Sequence, residues 1–152
     1  MKLYITLYLL FFSTILFAEF SVGDTLPKIT LADQFEKQHQ VNGKDKLLIL
    51  TFEKDIAEKV KQYLEVQTTD FLKKNQAKYI SDISKMPSLV TSWIALPKMK
   101  KYPFPIMLIY DDYGRNFSQK KGKITVYRIH KNKIVSIQFI APDKLSSIFN
   151  PI

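Results

Sequence analysis

Residues 102–114, YPFPIMLIYDDYG, constrain the fold more than any other stretch. Ile106, Met107, Leu108, Ile109 and Tyr110 form a continuous apolar run. Its length suits a strand covered on both faces, as at the centre of an α/β sheet. Pro105 stands just before it, and proline has no N–H to give to a ladder, so it belongs at the first position of such a strand. Asp111, Asp112 and Gly114 then end the strand in a turn.

The rest of the chain supplies the layers that such a strand needs. The segment 21–41 reads as two short strands, one around Ile29 and Leu31 and one near His39 to Val41, joined by a polar turn at Asp33 to Lys37. The run KLLILTF, residues 46–52, is a second buried strand. Residues 55–64 follow at helical spacing, with Ile56, Val60, Tyr63 and Leu64 on one face and lysines and glutamate on the other. A shorter helix near 70–75 has Thr69 as its expected N-cap. Residues 79–83 read as a strand. A helix then carries Leu89, Val90, Trp93, Ile94 and Leu96 up to Pro97, which ends it. Beyond the proline strand, residues 124–129 and 134–140 alternate in polarity around Asn132, as a hairpin does. A last helix from Asp143 turns Leu145, Ile148 and Phe149 inward.

The order is hairpin, strand, helix, strand, helix, proline strand, two strands, helix. Strands that alternate with helices and close in a hairpin make a mixed central sheet flanked by helices. With 152 residues, 46% of them hydrophobic, one domain with a real core is expected.

The opening of that domain carries a motif. Val22, Gly23, Asp24, Pro27, Ile29 and Leu31 precede Asp33, Gln34 and Lys37. This resembles the redoxin branch of the thioredoxin-like superfamily, where V-G-D-x-x-P-x-(F/I)-x-L leads into a D-Q-x-G-K hairpin. Glu36 departs from it, standing where the family often has glycine. The resemblance spans residues 22–149 and implies a thioredoxin-like three-layer α/β fold with an N-terminal hairpin. It also implies that Pro105 is the family's cis-proline, so the Phe104–Pro105 bond is expected to be cis. An ordinary trans strand start is the alternative.

Chemistry is bounded first by what is missing. The chain has no cysteine. That excludes a disulfide framework, a Cys-ligated metal and every thiol nucleophile, hence thiol-based redox activity. In thioredoxin-like enzymes the working cysteines sit where the first core strand meets its helix. Here that junction reads Thr51-Phe52-Glu53-Lys54-Asp55-Ile56. Glu53 and Asp55 are expected to cap the helix and neutralise its dipole; contact with a ligand by Glu53, Lys54 or Asp55 is the alternative. The resemblance further implies that backbone beside Phe104 and Pro105 pairs with an extended peptide, a mode that needs no side-chain chemistry. Asp111 and Asp112 read as a turn pair, because adjacent strand residues point to opposite faces. With only His39 and His130 and no local acidic motif, no metal site is expected. With 4 glycines, a dinucleotide fingerprint cannot be built, and no cofactor is expected.

The formal charge is +9. Lys98, Lys100 and Lys101 lie before the proline strand and Lys120, Lys121 and Lys123 after it. If the intervening turn folds back, the two clusters share an anion-attracting face rimmed by Tyr102 and Tyr113. Lys2, the apolar run 3–17 and Ala18 read as a secretory signal with cleavage after Ala18. The run falls short of the ~20 residues that a spanning helix needs; an uncleaved membrane anchor is the alternative. The chain thus divides into a signal, 1–18, and a thioredoxin-like domain, 19–152, and its place is periplasmic or secreted. Export makes nucleic acid a poor partner.

The expected function is that of a non-redox binding or scaffold module for another envelope protein or an anionic envelope component. The alternatives are an oxidoreductase-like enzyme with a borrowed, flavin-type cofactor, and a protein held at a membrane surface.

Overall fold

The computed structural model describes residues 18–150. The expected signal, 1–18, with its alternative as an anchor, lies outside the described residues except for Ala18.

A hairpin opens the domain. β1 (Ile29–Ala32) pairs antiparallel with β2 (Gln38–Val41), Ile29 opposite Val41. Asp33 organises the turn between them. Its Oδ1 accepts from Phe35 N at 2.8 Å and Lys37 N at 3.0 Å, and its Oδ2 lies 2.6 Å from His39 Nε2. Glu36 occupies a left-handed position, φ 65°, which explains why glycine suits that place.

The main sheet has five strands in the order β5-β4-β3-β6-β7. β3 (Leu47–Thr51) is at its centre, with every residue buried. α1 (Lys54–Glu65) follows and buries Ile56, Val60 and Leu64 at i, i+4, i+8. A short α2 (Phe71–Lys74) leads to β4 (Ala77–Asp82), parallel to β3. Asp70, rather than Thr69, holds the α2 N-cap, without a side-chain capping bond. One helical run then covers residues 88–99: α3 (Ser88–Val90), a π-helical turn Thr91–Ala95, and α4 (Leu96–Met99). It ends two residues past Pro97 instead of before it. Pro97 stands inside the run, directly after the π-helical turn, where the helix already changes its hydrogen-bond register. β5 (Met107–Ile109) runs parallel to β4. After a 3₁₀ turn (Asp112–Asn116), β6 (Ile124–His130) pairs antiparallel with β3 and β7 (Lys133–Ile140) with β6. The last helix is 3₁₀ (Pro142–Ile148), with Leu145 and Ile148 buried as expected.

The crossovers step the same way, β3 to β4 to β5. Right-handed crossovers in one direction put their helices on one face. There α1, α2 and the 88–99 run pack over Leu47, Ile49, Tyr79, Ile106 and Leu108. The other face, with Leu48, Leu50, Ile80, Met107 and Tyr127, is covered by the hairpin and by Phe20, Leu26 and Phe117. Each buried Leu, Ile or Phe contributes about 1.5–3 kcal/mol, so both faces hold the fold together.

Three expectations change here. The run Ile106 to Tyr110 is not central: β5 is the sheet's edge strand, and Tyr110 is 51% exposed. It stays apolar because helices cover one face and the hairpin the other. The Phe104–Pro105 bond is trans, since no described peptide bond is cis. Trans is the intrinsically favoured form by about 0.5–1 kcal/mol, and the segment enters the parallel edge strand β5 in that form. Finally, Lys100 and Lys101 precede β5 while Lys120, Lys121 and Lys123 precede β6, which runs the opposite way. The two clusters therefore lie at opposite ends of the sheet, and Tyr102 and Tyr113 pack on opposite faces.

At the far edge, β7 is long and open. Gly23 to Thr25 bond to its first residues: Gly23 N donates to Ile134 O at 2.8 Å and Ile134 N to Asp24 O at 2.9 Å. From Val135 onward no described strand pairs with its outer side.

Candidate functional site

The end of the sheet where β3 passes into α1 is the chemically distinctive part of the molecule. Thr51, Tyr79 and Ser81 place three buried hydroxyls side by side at the ends of β3 and β4. Thr51 Oγ1 lies 3.1 Å from the Tyr79 hydroxyl and donates to Ser81 Oγ at 3.2 Å. Burial pushes the Tyr79 phenol up to about 12, against the opposing pull of its bonds to Thr51 and Ser81. The three groups satisfy one another, so they form a closed polar floor rather than an activated nucleophile.

Phe52 and Glu53 come next. Glu53 holds the N-cap position of α1, but its side chain does not cap the helix. It reaches across to the loop before β6, where Oε1 accepts from Gly122 N at 2.6 Å. Asp55 alone supplies the acid of the first turn. The β3–α1 junction is thus tied to the β6 entry by one carboxylate.

A groove of about 470 Å³ opens beside this junction, between α1 and the 88–99 run. This lies within the range of small-molecule and side-chain sites. Its walls are mostly apolar: Phe52, Ala57, Ile83, Met86, Val90, Ile94, Met99 and Tyr102. Tyr79 and Ser81 form part of its floor. Its charges fall into two groups. Glu58 bonds Lys61 and Lys98, each at 3.2 Å, and Lys61 also meets Glu65 at 3.1 Å. Burial pushes the Glu58 carboxyl up, but the two lysines outweigh it and hold the group below its ordinary value. Lys61 Nζ also stands 5.5 Å over the Tyr102 ring. Lys54 and Lys85, at the other end of the groove, make no ion pair among the described residues.

The structure therefore brings Glu53, Lys54 and Lys98 to one groove. Phe104 and Pro105 lie elsewhere. Phe104 is buried in the core and stacks on Tyr102. Pro105 is exposed and lines a second cavity, of about 600 Å³, with His39, Asp45 and Met107. The backbone on either side of Pro105 is already engaged. Gln34 Nε2 donates to Phe104 O at 2.8 Å, and Gln34 Oε1 accepts from Ile106 N at 2.9 Å. Neither group is left for an extended peptide. Lys100 and Lys101 are exposed in the turn beyond α4.

Sequence reasoning named Gln34 only as part of a motif and missed the Thr51–Tyr79–Ser81 cluster. Period-two alternation in β4 was the available signal, since it puts Tyr79 and Ser81 on one face. Among the described residues, no group of three or more His, Asp or Glu is placed to hold a metal ion, and no helix is long and apolar enough to cross a membrane.

No family model matches the chain, and no curated protein matches it. Solved structures do resemble it. The thioredoxin domain of a thiol-disulfide oxidoreductase from Bacteroides vulgatus is 17% identical, with a TM-score of 0.54 over 87% of this chain and 100% of that one. A peroxidoxin from Mycobacterium tuberculosis is 16% identical, with a TM-score of 0.52 over 84% and 92%. A peroxiredoxin-like protein from Aquifex aeolicus is 12% identical, with a TM-score of 0.52 over 86% of each chain. At such identities the likeness is one of architecture. The chain has a thioredoxin-like fold, and it has that fold without a cysteine.

Proposed function

We propose that the chain is a non-redox binding module of the cell envelope, and that the groove beside the β3–α1 junction is its binding site. The observation that carries this reading is the groove itself. It is apolar-walled, floored by self-satisfied hydroxyls and flanked by Lys54 and Lys85, which make no ion pair among the described residues. Such a site holds an apolar group by burial and an adjoining anion by charge, and it has no group poised for covalent chemistry. An envelope protein or an anionic envelope component fits those terms, and the basic balance of the chain favours an acidic partner.

Photocrosslinking from the groove tests the reading. A photoreactive side chain at Met86 is expected to capture a discrete partner in cells that express the full chain. One at Lys44, near the second cavity, is expected to capture none. Ala57→Phe, which fills the groove from α1, is expected to abolish the Met86 crosslink while leaving the circular dichroism spectrum unchanged. A Met86 crosslink that persists in a folded Ala57→Phe protein, or an identical pattern from Lys44, would refute the groove as the binding site.

A further inference from the structure

A stripe of large apolar side chains runs down the outer face of the helical run 88–99. Leu89 is 72% exposed, Trp93 77% and Ile94 63%, with Val90 beside them. The spacing i, i+1, i+4, i+5 keeps the four together on one side of a helix. The inward side carries Thr91, which is buried and bonds back to Pro87 O at 3.2 Å, with Leu96 and Met99 packed on the core. A helix shaped only for folding buries its apolar residues and exposes its threonine. This one does the reverse over its first two turns, and contiguous exposed apolar surface marks an interaction site.

The charge around the stripe is one-signed. No acidic residue occurs between Asp82 and Asp111. Lys85 precedes the helix, and Lys100 and Lys101 follow it. All three are exposed and make no ion pair among the described residues. Lys98 is held by Glu58 at 3.2 Å.

We propose that this stripe docks on an anionic lipid surface. Leu89, Trp93 and Ile94 enter the boundary between headgroups and acyl chains, and Lys85, Lys100 and Lys101 meet lipid phosphates. An apolar face with tryptophan and flanking lysines is the chemistry of helices that lie in a bilayer interface. Tryptophan settles at headgroup depth, and lysine stems lie along apolar surface while the ammonium reaches the phosphates. A protein partner fits less well. Protein interfaces favour arginine and are depleted of lysine, and every free cation here is a lysine. Lys85, Val90 and Ile94 stand on the groove's rim as well, but the inference goes beyond the groove: Leu89, Trp93, Lys100 and Lys101 do not line it.

Trp93 is the chain's one tryptophan, so its emission reports this stripe alone. The full chain is titrated with vesicles of phosphatidylcholine and with vesicles that also contain phosphatidylglycerol. Residues 3–17 are apolar and offer a second route to lipid, so emission rather than co-sedimentation is the readout. On the anionic vesicles Trp93 emission is expected to move to shorter wavelength and to be quenched by acyl-brominated lipid. Each lysine near an anionic surface raises partition about fivefold. Lys100→Ala with Lys101→Ala should therefore raise the lipid concentration at half-maximal shift about 25-fold. Leu89→Ser, at an exposed position, should weaken the shift with an unchanged circular dichroism spectrum. Emission that stays at its aqueous wavelength, an equal response to both vesicles, or a titration that the lysine substitutions leave in place would overturn the proposal. A shift that requires an added protein instead of lipid would assign the stripe to a protein interface and overturn it equally.

Discussion

Gln34 is the residue on which the described fold most visibly turns, and Gln34→Met tests that directly. The side chain is 1% exposed and belongs to the hairpin turn, yet its bonds reach across the chain to the entry of β5. Nε2 donates to Phe104 O at 2.8 Å and to Met99 O at 3.3 Å, and Oε1 accepts from Ile106 N at 2.9 Å. Methionine matches the length of glutamine and keeps the packing. It removes all three bonds and strands the Ile106 N–H and the Phe104 carbonyl in a buried setting. An unsatisfied buried group costs about 1–3 kcal/mol, so two of them should cost about 3 kcal/mol or more. For a domain of this size that corresponds to a fall in Tm of about 6–12 °C. Urea unfolding followed by circular dichroism measures it. Gln34→Glu adds a pH test. The introduced carboxylate can accept from Ile106 N but faces the Phe104 carbonyl, and burial also disfavours its charge, so its folded pKa should lie above the unfolded value of about 4.3. Stability should be closest to wild type below that value and fall as pH rises through the folded pKa. A Gln34→Met loss under about 1 kcal/mol, or a Gln34→Glu deficit indifferent to pH, would show that the clamp is not what joins hairpin and sheet.

Two further substitutions probe the neighbourhood of these elements. Burial pushes the Asp33 carboxyl up, but bonds from His39, Phe35 N and Lys37 N outweigh it and hold it below its ordinary value. Its contribution is therefore present above about pH 4 and lost as pH falls through the lowered folded pKa. Asp33→Asn should cost about 1–2 kcal/mol at neutral pH, and the gap to wild type should narrow in acid; a constant gap across an unfolding series at several pH values would contradict the assignment. At Gly114 a Cβ would overlap the carboxylate of Asp82, whose Oδ1 caps Ser84 N at 2.9 Å. Gly114→Ala should destabilise by about 2 kcal/mol or more; a Tm equal to wild type would mean that Asp82 swings away freely.

Much of the architecture was legible because it is written in periodicity. α1 shows its buried face in Ile56, Val60 and Leu64, and β3 shows double-sided burial in an unbroken apolar run. Strand rank within the sheet was not legible. The run 106–110 is the more apolar of the two, yet pairing puts 124–129 beside β3 and leaves 107–109 at the edge. The cis expectation failed at the bond itself, which is trans at the entry of the edge strand β5. Leu89, Trp93 and Ile94 look like core residues in sequence because hydrophobicity says nothing about which side of a helix meets the sheet. The groove joins residues up to 54 positions apart, from Phe52 to Ile106, so no local pattern announces it.

The two margins of the main sheet differ. At one, β5 is three residues long and the hairpin's Gln34 occupies the backbone at its entry; at the other, β7 is eight residues long and open beyond Ile134. Among the described residues, β7 is thus the long bare margin that the main sheet can offer to another strand. Two copies that met along β7 would each cover the other's open margin, and assembly by that margin would stop at a pair instead of growing into a fibre.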